Sequence, residues 1–68
     1  MKHTYDVEYR LDDIENYDLT EYSDIYTRKS DAMKFAKSII KEYGDRVVLC
    51  DLKIYDEDGY LEDVINII

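Results

Sequence analysis

Proline and tryptophan are absent from this 68-residue chain, glycine occurs twice, and cysteine and histidine occur once each. Each shortage removes a class of chemistry. Two glycines cannot build a phosphate-cradling loop, which needs several backbone positions free of side chains. One cysteine cannot form an internal disulfide framework. Cys50 lies in the apolar run "VVLC", with no cation-rich neighbourhood to favour its thiolate, and reads as a small buried hydrophobe. A lone thiol suits a reducing compartment. His3 has no cysteine or second histidine to share a zinc ion with. Ser23, Ser30 and Ser38 have no base nearby in sequence, and no G-x-S-x-G elbow is present. No stretch approaches the ~20 apolar residues of a membrane span, and "MKHTYDVEYR" holds no apolar run for a secretory signal. These shortages predict a soluble, cytoplasmic, non-catalytic protein with no cofactor, no metal and no membrane partner.

What the chain has in excess is negative charge: seventeen acids against nine lysines and arginines, net −8. That opposes direct nucleic-acid binding, which needs cations to replace the counterions of the phosphates. It favours basic partners through long-range steering. Eight tyrosines, one phenylalanine and many aliphatics separate the chain from disordered acidic sequences, which are poor in aromatics. The length allows one domain, residues 1–68, with a thin core and little volume for an enclosed pocket.

Hydrophobic periodicity divides this domain. In "TYDVEYRL", Tyr5, Val7, Tyr9 and Leu11 alternate with Asp6, Glu8 and Arg10, the period of a half-buried strand. An acidic connection follows, and Tyr22–Thr27 reads as a short second strand. Ala32, Phe35, Ala36, Ile39, Ile40 and Tyr43 recur at steps of three and four, one helical stripe. Ser30 is placed to cap the helix start, Asp31 to complement its dipole, and Gly44 to end it with a positive φ. "RVVLCDLKIY" reads as a third strand, with Val48, Cys50, Leu52 and Ile54 on one face. "YLEDVINII" reads as a fourth, because its β-branched residues favour a strand over a short helix. The expectation is an α+β fold, a two-layer ββαββ arrangement with one helix packed on a small, mainly antiparallel sheet.

The stretch "YDEDGYLED" tests for calcium. With Gly59 at position six of an EF-hand loop, positions one and twelve fall on Ile54 and Ile65, which offer no side-chain oxygen. A strand pattern precedes the stretch where a helix is required. Asp58-Gly59 between two alternating runs instead predicts a hairpin turn.

Charge is sorted along the chain. Residues 1–26 carry net −6, residues 27–44 net +3, and residues 45–68 net −5. The helix is basic and the strands are acidic. With a helix on one sheet face, the remaining surface presents Asp6, Glu8, Asp12, Asp13, Glu15, Asp18 and Asp24, with Tyr17, Tyr22 and Tyr60 between them. Alternate residues of a strand stand ~6.6–6.8 Å apart. That pitch is comparable to the spacing of successive phosphates on one nucleic-acid strand. Such a surface fits a basic, nucleic-acid-binding groove of a partner protein, with the acids pairing with lysine and arginine and the tyrosines as anchors. The plainer reading is a solvated acidic surface that keeps a small domain soluble. A second class of function is structural: Val47, Leu49, Val64, Ile65, Ile67 and Ile68 exceed what one helix covers, and a homodimer would hide the surplus.

In length, charge and layout the chain resembles the small acidic inhibitors encoded by phages and other mobile elements, anti-CRISPR proteins among them. The resemblance spans the whole chain in these terms and transfers no residue from any family. It implies action in the host cytoplasm, no cofactor, and a basic protein partner such as a CRISPR nuclease or another nucleic-acid-binding effector.

Overall fold

A computed structural model describes residues 2–12 and 20–68. Strand β1 (Thr4–Leu11) is followed by β2 (Thr20–Tyr22), helix α1 (Lys29–Tyr43), a 3-10 turn (Gly44–Arg46), β3 (Val47–Tyr55) and β4 (Leu61–Asn66). The strands form one antiparallel sheet in the order β2-β1-β3-β4. The helix packs on one face of β1 and β3, giving the two-layer α+β arrangement of strands and helix that the periodicity predicts.

Pairing of β1 with β3 brings together the apolar halves of two alternating strands. Tyr5 lies opposite Ile54, Val7 opposite Leu52, and Tyr9 opposite Cys50. Val7, Cys50 and Leu52 are fully buried against Ala32, Ala36 and Ile39 of the helix. Two alanines at the contact let the helix backbone approach the sheet closely. Phe35 closes one side of the core, 5.9 Å from the Tyr9 ring and 6.2 Å from that of Tyr26. Lys34, Lys37 and Lys41 point to solvent.

Four local expectations change. The second strand is Thr20–Tyr22 rather than Tyr22–Thr27. Ser23 interrupts its ladder, because its hydroxyl accepts the Val7 N–H at 2.8 Å in place of a backbone carbonyl. The chain rejoins β1 at Tyr26, which exchanges two backbone hydrogen bonds with Tyr5. That bridge fixes where the helix can begin. Arg28, not Ser30, is the cap residue, and Ser30 lies inside the first turn. In β3 it is Val47 that is buried (8% exposed) and Val48 that is exposed (53%). A register shift between Arg10 and Leu11 leaves Val48 as the extra residue of a bulge.

The fourth change concerns the hairpin turn. Gly59 N–H donates to Asp56 C=O at 3.0 Å and Asp56 N–H to Tyr60 C=O at 2.9 Å. Within the turn only Gly59 has positive φ, +87°. This is a three-residue loop, a type I turn followed by a left-handed glycine, rather than a two-residue turn on Asp58-Gly59. The Asp56 carboxylate stabilises it by accepting the N–H groups of Asp58 (3.0 Å) and Tyr60 (2.9 Å).

Leu52→Ala is expected to cost about 3 kcal/mol, because the side chain is fully buried at the sheet–helix contact. A domain of this size has only about 3–5 kcal/mol to lose. Urea denaturation followed by circular dichroism should find the variant near its midpoint without denaturant. Val48→Ala should stay within about 0.5 kcal/mol of the parent.

Candidate protein-binding surface

The alternation that buries Val7 points Asp6, Glu8 and Arg10 to the opposite face of the sheet, away from α1. The register then assembles a polar lattice. Tyr22 of β2 and Asp51 of β3 flank Glu8; Thr20 flanks Arg10; Lys53 lies opposite Asp6, and Val64 of β4 lies opposite Lys53. Most of these side chains are half-buried by their neighbours.

Their charges are largely engaged with one another. Lys53 Nζ is 3.2 Å from Glu8 Oε1, with the two side chains only 22% and 17% exposed. The same ammonium sits 5.5 Å from the centroid of the Tyr22 ring. Burial pulls the Lys53 ammonium down, but the Glu8 carboxylate outweighs it and holds the group above its ordinary range. Tyr55 donates its hydroxyl to Asp6 at 3.3 Å. Burial raises Asp6 above the ordinary aspartate value of 3.8, and the Tyr55 hydrogen bond only partly offsets it. Burial, reinforced by the Asp6 charge, pushes the Tyr55 hydroxyl up as well. Arg10 donates to Thr20 Oγ1 at 2.9 Å.

The sequence-predicted surface therefore divides into three parts. Asp6, Glu8 and Tyr22 come together on the open face; both carboxylates are held by hydrogen bonds, while the Tyr22 ring is 58% exposed. Asp12 follows β1 and Asp24 follows β2, both exposed, with Glu21 exposed between them in sequence. Tyr60, 72% exposed, lies at the far side of the sheet, at the start of β4. Asp13, Glu15, Tyr17 and Asp18 lie outside the described residues. Two members of this face escaped sequence reasoning, Lys53 and Asp51. Their alternation with Leu52 put them on the face away from the core, but only the β1–β3 register sets them beside Asp6 and Glu8.

Other chemistry finds little purchase here. Burial, with Asp51 adding to it, raises the Cys50 thiol above its ordinary value, which disfavours the nucleophilic thiolate. Among the described residues no cluster of three or more histidine, cysteine or acidic side chains is placed to hold a metal ion. A concavity of about 500 Å³ beside the start of α1 is lined by Lys2, His3, Thr4, Tyr5, Thr27 and Arg28. His3 Nε2 lies 2.9 Å from Glu62 Oε2, so an acid already faces one of its basic groups. No helix among the described residues is long and apolar enough to cross a membrane. Compared with known proteins, the chain matches no protein-family model, no curated protein and no solved structure.

The raised Asp6 predicts a pH signature. A carboxyl whose folded-state value exceeds its unfolded value favours the fold while protonated, and that contribution is lost as pH rises through the folded value. Asp6→Asn keeps an acceptor for Tyr55 and removes the charge. The variant should have a higher urea midpoint than the parent at pH 7. The difference should shrink to nothing as pH falls below about 3.8, the ordinary aspartate value. A variant less stable than the parent at pH 7 would mean that the charge itself is needed.

Proposed function

We propose that the protein is a non-catalytic binding protein of the inhibitor type, which uses its acidic, tyrosine-bearing surface to occupy a basic, nucleic-acid-binding groove of a partner protein. The observation that carries this reading is the segregation of charge in the fold. The lysines of α1 point away from the sheet, while Asp12, Glu21 and Asp24 are exposed around β2. Tyr22 and Ile25, both more than half exposed, lie among them and supply apolar anchors of the kind found at interface hot spots. Asp6 and Glu8 add carboxylates that are already oriented, which lowers the entropic cost of binding. The resemblance in size and charge to anti-defence inhibitors of mobile elements makes a nuclease such as a CRISPR effector a natural partner.

A second reading, a homo-oligomeric structural domain, draws on a different observation: Leu61, Val64 and Ile68 are exposed on and beside an edge strand. Light scattering at micromolar concentration separates the two, since a strict monomer removes self-association as the main role.

For the inhibitor reading, the protein is immobilised and partners are captured from a host lysate at ~0.1 M and ~0.5 M salt, which spans weak to strong screening. The expected partner is basic, is released by the higher salt, and is displaced from the chain by its nucleic acid. Asp12→Lys combined with Asp24→Lys should weaken capture at least tenfold. A partner that binds equally at both salt concentrations, and together with its nucleic acid, would exclude mimicry.

A further inference from the structure

Strand β4 is an edge of the sheet, and it is the longer edge: six residues against three in β2. Five of its six residues are exposed. Tyr60 just before it, Leu61 and Val64 within it and Ile68 just after it are exposed apolar side chains. Edges of this kind are usually defended by lysine or proline. Residues 60–68 contain neither, and no arginine.

The ladder shows which backbone groups face outward. Ile67 N–H donates to Cys50 C=O at 2.9 Å. In an antiparallel pair the bonding residues alternate, so Ile65 and Asp63 also face β3, while Val64 and Asn66 turn their N–H and C=O groups outward. Two features protect the first half of this edge. The register shifts beside Ile54, and Asp63 Oδ1 accepts the outward Val64 N–H at 2.8 Å. From the Val64 carbonyl through Asn66 neither device operates.

We propose that β4 is a docking strand that extends the sheet with one extended segment of a partner protein, in which lysine or arginine alternates with apolar residues. Charge selects this occupant. Glu62 and Asp63 lie on the strand, and Glu57 and Asp58 lie in the turn before it, all exposed. A second copy of the chain would bring a further net −8 to the same edge. A basic segment brings the opposite sign. Alternation sets its apolar residues beside Val64 on one face and its cations on the other, the face of Asp63. A cation placed beside Asp63 attracts the carboxylate that now holds the Val64 N–H and frees that donor for the incoming strand. The edge is thus closed to neutral strands at Val64 and opened by basic ones. This inference rests on the reading of the protein as a binder of basic partners, and places the backbone contact on β4.

The probe is a blocked (Val-Lys)4 peptide titrated at low salt into the isotope-labelled protein, with (Val-Glu)4 as the control. Amide shifts and slowed amide exchange should concentrate at Val64–Ile68, and (Val-Glu)4 should produce neither. Asn66→Pro removes one outward N–H without touching the bonds to β3, an edge position that tolerates proline. It should weaken peptide binding about tenfold, the equivalent of about one net hydrogen bond. Glu21→Lys with Asp24→Lys, compared with the parent at ~0.15 M salt, should leave peptide binding within about twofold, because β2 and β4 are opposite edges of the sheet, roughly 14 Å apart, and the Debye length is then about 8 Å. Peptide shifts centred on residues 20–25, or undiminished binding by Asn66→Pro, would overturn the docking strand and leave the acidic binder standing. No shift at about 1 mM peptide would overturn it too. Concentration-dependent broadening of the β4 amides without peptide would assign the edge to a second copy instead. The exchange readout on the parent chain decides the matter should Asn66→Pro fail to fold.

Discussion

The antiparallel pairing of β1 with β3 is the constraint on which the rest of the molecule depends. These are the two central strands, and each meets α1 with one face and solvent with the other. Their register, Val7 against Leu52, does two things at once. It stacks the apolar side chains under Ala32, Ala36 and Ile39. It also sets Lys53 among Asp6, Glu8 and Asp51 on the opposite face. A slip of one residue would exchange the two faces of a strand and place Asp6 and Glu8 in the core. The core specifies this register strongly because its small volume leaves no alternative apolar set. The bulge at Val48 absorbs the mismatch at the end of the pairing and returns Val47 to the core.

The open face shows how an acidic chain keeps a sheet together. Carboxylates brought together on one half-buried face repel one another and lose hydration. The chain answers with one lysine and one hydroxyl group, and holds the neighbouring Arg10 through another hydroxyl. Lys53 pairs with Glu8 and lies against Tyr22; Tyr55 donates to Asp6; Thr20 accepts from Arg10. Asp6 remains the costly member, since its hydrogen bond does not fully compensate for burial. The consequence for recognition is a division between charges. Asp6 and Glu8 are fixed in direction and already engaged, whereas Asp12, Glu21 and Asp24 are exposed. The tyrosines divide similarly: Tyr55 serves the lattice, and Tyr22 and Tyr60 project from it.

What the sequence reveals of this fold follows from the range of the interactions involved. The alternation of β1 and the stripe of α1 are local patterns, and each element occurs where its pattern lies. Gly44 ends the helix with φ +55°, as its position suggests. The departures occur where a distant contact overrides a local preference. Ser30 is a good cap residue, but the Tyr5–Tyr26 bridge starts the helix earlier. Val48 continues the alternation of β3, but the bulge turns it outward. Ser23 fits a strand, but its hydroxyl substitutes for the strand's own backbone. The candidate surface divides in the same way. The acids could be named from the sequence; that Lys53 neutralises one of them could not, because a strand's neighbours are fixed only by pairing.

The two edges of the sheet suit different kinds of contact, for reasons that lie in their backbones. β2 is three residues long and is followed at once by Ser23, whose side chain takes over a ladder bond. It offers an incoming strand almost no continuous run of donors and acceptors, so its exposed acids and Tyr22 can act only through side chains. Side-chain contacts of that type tolerate varied partners and weaken with salt. β4 has the opposite character. Its hydrogen-bonding edge is regular from Val64 to Asn66, and a partner that uses it must be extended. Asp63 makes that edge selective, because the carboxylate that occupies the Val64 N–H is displaced most readily by a cation. On the proposed reading, a partner that meets both edges would be basic over a broad surface and would present one strand. That combination is more restrictive than charge alone, and in the proposed role it would separate recognition of one basic protein from attraction to all of them.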